Sequence, residues 1–412
     1  MAVQDSPVII AGAGPVGLTL AMLLKQNGQD ALVFEAVNEL KPLGVGINLL
    51  PHSVRVLDQL GLVPALDGIA IRTSALHYYN KFGQQIWAEP RGQAAGYHFP
   101  QFSVHRGELQ MLLFDEAKQR LGDAAIKTGH RLESWQDTEK GIRVTFATQQ
   151  GQIEVEGSCL ICADGINSTA RKILYPDEGD PIYGGRILWR GVTYVEPYLD
   201  GATMFMAGHQ DCKFVAYPIK ALPDGRRLLN WIAELSVPDY KQDVQDWNRQ
   251  VSIDVFKGPF EDWDFGWLNV PEVIEQGEHV FEFPLSDRNP IPQWNFGNMT
   301  LIGDAAHPMY PIGSNGASQG ILDAEKLVKE LIAQDSIATA FANYEAERLP
   351  ATANIVLTNR KNGPEQVMQI AEERAPQGFD DIDAVIPREE LEAIAARYKQ
   401  TAGFSIEAVN EK

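Results

Sequence analysis

Gly12-Ala13-Gly14-Pro15-Val16-Gly17 lies between an apolar run, residues 8–11, and a stretch, 18–27, whose apolar residues recur at helical spacing; a second apolar run, 31–35, follows. Strand, glycine turn, helix and strand make a βαβ unit, for which a right-handed crossover is expected. The first glycine permits the tight turn, the second lets the backbone approach a pyrophosphate, and the third lets helix and strand pack closely. The helix start adds unpaired N–H groups suited to phosphate. Glu35 stands eighteen residues after Gly17, at the end of the second strand, where a carboxylate accepts from a ribose hydroxyl. A dinucleotide site is expected, and the turn alone does not tell NAD from FAD.

Downstream, residues 44–50 are glycine-rich and 51–60 turn helical, with Val54, Leu57 and Leu60 on one stripe. Residues 76–90 alternate as a strand pair does. A helix is expected over 106–121, and the strand-like runs 142–148 and 153–155 lead to 159–163, a return to the first sheet. Between 180 and 285 the runs 186–195, 213–219 and 228–235 are rich in Trp, Tyr and Phe, as in a second sheet. Helix and sheet then resume at 299–303, 317–333 and 337–359, and the charged tail from Pro364 reads helical over 388–399. The expected class is α/β. A discontinuous Rossmann-like cofactor domain takes residues 1–75, 101–179 and 282–360, a mixed β-sheet substrate domain takes 76–100 and 180–281, and a helical carboxy-terminal cap takes 361–412.

The 412 residues are 44% hydrophobic and 22% charged, a globular composition long enough for two or three domains. Thirty-five Lys and Arg against 55 Asp and Glu leave a formal charge of −20, which repels polyphosphate and anionic lipid, so no nucleic-acid partner is expected. Cys159, Cys162 and Cys212 are too few and too odd for a disulfide framework, which suits a reducing, cytoplasmic compartment. Residues 1–7 lack the basic start of a signal peptide, and no apolar run reaches the roughly 18 residues needed to span a bilayer. A soluble chain is expected.

Two further motifs place an aspartate just after an apolar strand: Ala163-Asp164-Gly165-Ile166-Asn167-Ser168 and Leu301-Ile302-Gly303-Asp304-Ala305-Ala306-His307-Pro308. After the second, Pro311, Gly313, Asn315 and Gly316 form a loop that runs into a helix, so backbone donors again face a ligand at a helix start. Asp304 suits a polyol or ribose hydroxyl, and the 311–317 loop suits the side of a flavin ring. Each aspartate–glycine pair alone is a turn signal. With the Gly12 turn they describe one extended cofactor touched at separated points.

In this order and spacing the three motifs resemble the single-component FAD-dependent aromatic hydroxylases, the para-hydroxybenzoate and salicylate hydroxylase family, over roughly residues 6–360. His105-Arg106-Gly107-Glu108-Leu109 is similar to the segment whose arginine reaches the cofactor in that family. Four phrases look similar to the phenazine-carboxylate hydroxylase branch that forms pyocyanin: Pro42-Leu43-Gly44-Val45-Gly46-Ile47-Asn48, Trp87-Ala88-Glu89-Pro90-Arg91-Gly92, Trp189-Arg190-Gly191-Val192-Thr193 and Ser314-Asn315-Gly316-Ala317-Ser318-Gln319. The cofactor-binding set is then Gly12, Gly14, Gly17, Glu35, Asn48, Arg106, Asp164, Asp304, Gly313, Asn315 and Gly316, with Pro311 in the loop beside the flavin ring and no protein nucleophile.

The resemblance implies a reaction: NADH or NADPH reduces FAD, O₂ adds at flavin C4a, and the hydroperoxide delivers its terminal oxygen to an aromatic or heteroaromatic acid. The protein holds the ring near C4a, excludes water and stabilises negative charge on the reduced flavin. If the attacked carbon bears the carboxylate, loss of CO₂ restores aromaticity. No nucleophile elbow, zinc-binding HExxH or second GxGxxG is present, and no metal is expected. Two rivals stand beside this reading, a flavin oxidase or dehydrogenase on the same scaffold and a non-catalytic redox-sensing flavoprotein. The sequence leaves open the substrate, NADH against NADPH, decarboxylation and the oligomeric state.

Trp189, Tyr217 and Trp231 fall in the second sheet, where they either wall a planar substrate pocket or fill a core. Arg190 and Arg91 either pair with a substrate carboxylate or sit as solvated charges. Asp287 and Arg288 lie near the flavin or form a surface ion pair. His307, before Pro308, reads as a hydrogen-bonded structural residue rather than a base, and Cys159 and Cys162 as buried thiols rather than a redox pair.

Overall fold

The structure, a computed structural model, describes residues 6–42, 44–240, 249–360, 363, 365–401, 403 and 405–411; residues 1–5, Leu43 and Pro364 lie outside the described residues. Val8–Ala11 forms with Ala31–Phe34 and Leu160–Cys162 the centre of a parallel sheet, which Ile126–Lys127 and Met299–Leu301 extend. Asn295–Phe296 closes one edge antiparallel, making six strands. The central strands are short and apolar because packed elements cover them; Ile9, Ile10, Ile161 and Leu301 are fully buried, and the Phe34 ring stacks on Phe146 of the strand Gly141–Thr148. Helix Pro15–Gln26 starts with proline at its first position and packs against Arg106–Leu121 and Gly316–Ala333. Gly316–Ala333 in turn packs on Ile337–Asn359.

The second body is a seven-stranded sheet in the order Glu278–Asp287, Ile182–Val195, Arg227–Ser236, Cys212–Ala221, Met204–Gly208, Ala75–Tyr79 and Gln85–Pro90. Its pairs are antiparallel except Met204–Gly208 beside Ala75–Tyr79, so the sheet is mixed. The expected domain border at 282 falls inside Glu278–Asp287, which stays in this sheet through Asp287. A small sheet of Gly46–Leu49, Phe102–His105 and Ala70–Arg72 lies in chain order between the two bodies. Helices Gln366–Arg374 and Arg388–Thr401 bury Met368, Leu391 and Ile394 against one face of the large sheet.

The expected return at 159–163 is present as Leu160–Cys162. The runs before it do not join the parallel sheet: Arg131–Thr138, Gly141–Thr148 and Gly151–Gly157 form a separate antiparallel meander. The reason is their alternation. Ile142, Val144 and Phe146 are buried while Arg143 between them is exposed, the pattern of a sheet with one wet face. Among the described residues no helix is long and apolar enough to cross a membrane.

Candidate active site

At the Gly12 turn the first glycine has φ +111°, and a Cβ there would lie 2.3 Å from the Ala163 carbonyl oxygen. A Cβ on Gly17 would meet the Gly12 carbonyl oxygen at 2.1 Å, whereas one on Gly14 would meet nothing within 4 Å. Strand and helix thus close on two glycines, and the third opens to the cleft. The helix start has no side-chain cap and no acidic residue in its first turn, leaving its N–H groups to a ligand. The Glu35 carboxylate accepts from the Ala13 N–H at 2.8 Å and the Val37 N–H at 3.0 Å, which fixes it beside the turn. Gln110, which sequence reasoning missed, donates to the Ala13 carbonyl at 3.2 Å from the neighbouring helix.

Asp164 accepts from the Thr169 and Ala170 N–H groups through Oδ2, while Oδ1 is buried without a hydrogen-bond partner. Burial pushes its carboxyl above the usual aspartate range. Asp304 is open to the cleft yet closely ringed by protein, so desolvation raises its carboxyl too, against the opposing charges of His307 and Arg106. Arg106 opens the helix Arg106–Leu121 with its N–H on the Val45 carbonyl and its side chain exposed in the cleft.

Pro311 is exposed, Gly313 turns at φ +68°, and Ser314 takes φ +57°, a conformation rare for a side-chain-bearing residue. Asn48 holds this turn: its Nδ2 donates to Ser314 Oγ at 3.2 Å and its Oδ1 accepts from Ser103. Asn315 is fully buried, and its Nδ2 has no hydrogen-bond partner. Gly316 then begins an 18-residue helix with no side-chain cap and no acidic first turn. Beneath the loop, buried Asp323 accepts from the Gly303 N–H, from Arg348 Nε at 2.6 Å and from His307 Nε2. Burial alone would raise the Asp323 carboxyl, but His307 and Arg348 outweigh it and hold it at about 2. The ionised carboxylate makes His307 Nε2 the donor, so His307 braces the Gly303–Asp304 turn, as its sequence context suggested.

Asp287 and Arg288 form no surface pair. Asp287 is fully buried in a fork with Arg360 at 2.7 and 2.8 Å, while Arg288 reaches Glu178 at 3.1 Å. Asn359, next to Arg360, donates to the Tyr310 and Ile312 carbonyls at the base of the loop. Cys159 and Cys162 are buried free thiols; burial pushes Cys159 up to about 12 and Cys162 well above the usual thiol range, which makes them inert.

The large sheet presents one face to this cleft. Asn230 Oδ1 accepts from the Gly46 N–H at 2.6 Å, and Arg190 donates to the Gly46 carbonyl at 2.8 Å. Tyr217 is hydrogen-bonded to Arg190, and a Cβ on Gly46 would fall 2.7 Å from the Tyr217 ring and from the Asn230 side chain. Arg190 also lies 5.7 Å from the centre of the Phe283 ring. It is therefore held by partners rather than solvated. Trp189 and Trp231 point to the opposite face. Trp189 stacks on Phe256 and donates to Glu282, and Trp231 is fully buried and donates to Thr193. Strand alternation separates them from the cleft. The enclosed cavity is instead lined by residues the sequence reading did not single out, Leu50, Leu76, Met204 and Met206, together with Gly313 and Ser314. Their common signal, apolar residues in or beside strands, is shared with any core.

The residues suit an extended dinucleotide with a ring at its far end: a glycine cradle a Cβ would fill, two uncapped helix starts, and unpaired Asp164 Oδ1 and Asn315 Nδ2 between them. A family model described as an FAD binding domain matches residues 5–183 and 282–358. The phenazine 1,6-dicarboxylic acid hydroxylase PhzS of Lysobacter antibioticus is 42% identical, covering 86% of this chain and 89% of its own. The 3-hydroxybenzoate 6-hydroxylase of Polaromonas naphthalenivorans is 28% identical over 87% and 88%. In fold, Klebsiella pneumoniae HpxO complexed with FAD and uric acid is similar at a TM-score of 0.75, with 22% identity and 97% and 98% of the two chains covered. A salicylate hydroxylase substrate complex gives 0.75 at 20% identity, covering 99% and 98%. The likeness thus reaches a phenazine dicarboxylic acid hydroxylase and not specifically the pyocyanin-forming enzyme.

Proposed function

The chain belongs to the FAD-binding domain family and is an FAD-dependent aromatic monooxygenase, and on that premise we propose that it hydroxylates a planar polycyclic aromatic acid of the phenazine-carboxylate type, with NADH or NADPH as electron donor. The observation that carries this reading is the apolar lining between the 311–316 loop and the large sheet, made of leucines and two adaptable thioethers. The 42% relative, whose name places a phenazine diacid in such an enzyme, supports it.

Bound FAD supplies the electron transfer and oxygen activation. Gly12, Gly14 and Gly17 with the free helix N–H groups hold its diphosphate, and Glu35 a ribose hydroxyl. Asp304 takes a hydroxyl of the connecting chain, Asp164 and Arg106 complete the cofactor contacts, and Asn48 fixes the 311–316 loop. The N–H groups of Gly313, Asn315 and Gly316 would be the donors offered to the flavin ring, with Pro311 in the same loop beside it. Arg190, clamped to Gly46 beside Tyr217 and Asn230, adds positive charge near the ring. Where hydroxylation falls on the carbon carrying the carboxylate, CO₂ leaves with its bonding pair returned to the ring, and no protein base is needed. The free cysteines suit a cytoplasmic setting.

The test is NADH and NADPH oxidation by the purified protein with phenazine and benzoate acids under isotopically labelled O₂. Stimulated oxidation with one labelled oxygen in a phenazine product supports the reading. Bound flavin with unlabelled product returns it to an oxidase.

A further inference from the structure

The cavity is roofed by a helix that neither sheet supplies. Ala395 and Lys399 of Arg388–Thr401 close it, and Glu89, Arg91 and Gln101 form one end. The helix is seated by Leu391 and Ile394, buried in the same cluster as Met204, Met206 and Tyr217. Lys399 Nζ lies 2.7 Å from Glu89 Oε2, and Arg91 Nη2 3.4 Å from Glu89 Oε1. The Glu89, Arg91 and Lys399 side chains are only 5%, 12% and 25% exposed, so the three charges face each other and the cavity rather than bulk water.

Two cations, Arg91 and Lys399, thus stand with Glu89 at one end of a largely apolar chamber, in a chain whose formal charge is −20. Such a chamber matches a flat ring carrying one anionic group, since charge-assisted hydrogen bonds between a guanidinium or ammonium and a carboxylate are strong when water is excluded. The free volume inside is about 20 Å³, room for little more than a water molecule. An aromatic ring therefore enters only as the roof gives way, and the Lys399–Glu89 pair is a charged tie between roof and sheet.

We propose that Arg91 and Lys399 form the subsite for a ring carboxylate of the substrate, and that Glu89 holds Lys399 until the acid replaces it. The proposal rests on the reading that the substrate is an aromatic acid and assigns where the acid group binds. Glu89 competes with the ligand, so removing its charge strengthens acid binding, whereas removing either cation weakens it. Opposite signs within one ion cluster are not expected of a cluster that only holds the fold together.

The experiment titrates the FAD-loaded protein with phenazine-1-carboxylate and with phenazine-1-carboxamide, which keeps the ring and lacks the charge, reading the flavin absorbance. Lys399→Met and Arg91→Gln are expected to weaken the acid roughly 10–100-fold and the amide less than about threefold. Lys399→Arg restores most of the loss, and Glu89→Gln tightens the acid severalfold. FAD content and melting point confirm that each variant folds. Equal losses for acid and amide, or weaker binding of both in Glu89→Gln, overturn the subsite. If neither phenazine perturbs the flavin, the substrate class proposed above fails, and salicylate against salicylamide reads the subsite instead. Equal affinity of the wild type for that pair, or no response to any of the four, overturns the subsite as well.

Discussion

The two faces of the seven-stranded sheet are built from the same strands and do opposite work. One carries Trp189, Trp231, Phe205 and Phe214, packed against Phe256, Phe260 and Trp263 into an aromatic core in which the Trp189 and Trp231 N–H groups are both satisfied. The other carries Arg190, Tyr217 and Asn230, clamped on Gly46, with Met204 and Met206 walling the cavity. Arg190 Nε and Asn230 Nδ2 there are buried without partners. Aromatic density therefore marks the packed face, and unsatisfied polar atoms mark the cleft. An interior made of rings is stable when full, whereas a face that must meet a ligand keeps donors and adaptable side chains in reserve.

Substitutions on the two faces should separate stability from chemistry. Trp231→Ala empties a close-packed site, where even Gly191 leaves its ring no room for a Cβ, and is expected to cost about 3–5 kcal/mol in urea unfolding. The folded fraction should keep its response to aromatic acids; a variant of wild-type stability that has lost that response would break the contrast. Acid should act on the cleft's other wall. Asp323 is held at about 2, below the roughly 3.9 of an unfolded aspartate, so the folded state binds fewer protons and the stabilisation, on the order of 2–3 kcal/mol, is complete above the unfolded value. It is lost as pH falls through the folded value, and Asp323→Asn should flatten the unfolding free energy between pH 5 and 2.

Asn230→Ala leaves the Gly46 N–H without its acceptor and should cost about 1–3 kcal/mol. The loss should appear more in FAD affinity than in melting, because Gly46–Leu49 belongs to the cofactor side. Tyr217→Phe removes only a hydroxyl bonded to an arginine that keeps Gly46, so its unfolding free energy should move by less than about 1 kcal/mol. Its expected effect is more hydrogen peroxide per nicotinamide oxidised; tight coupling in this variant would place Tyr217 with the tryptophans as packing.

Short-range chemistry made much of this fold legible. Helices 106–121 and 337–359 and strand 8–11 have the bounds their periodicity implied, because caps and apolar spacing act over one or two turns. The Gly12 turn was readable since a missing Cβ is a local requirement. His307 was readable as structural, although its partner Asp323, sixteen residues on in the next helix, was not. The facing of Trp189 and Trp231 was hidden for a different reason. Period-two alternation says that residues 189 and 190 face opposite ways and does not say which way is the cleft. Trp189 and Trp231 were candidates because they are large and aromatic, properties equally useful to a core.

The amino-acid sequence alone determined the cofactor domain: three motifs at the ends of parallel strands, each needing a particular residue within a few positions of a turn. Tertiary structure alone decided which face of the second sheet meets that domain. It also brought Lys399 across more than 300 residues to Glu89 and Arg91. The physical reason is range. A turn or a helix start is specified by neighbours in the chain, whereas a cavity is specified by surfaces whose fit is known only once the bodies pack.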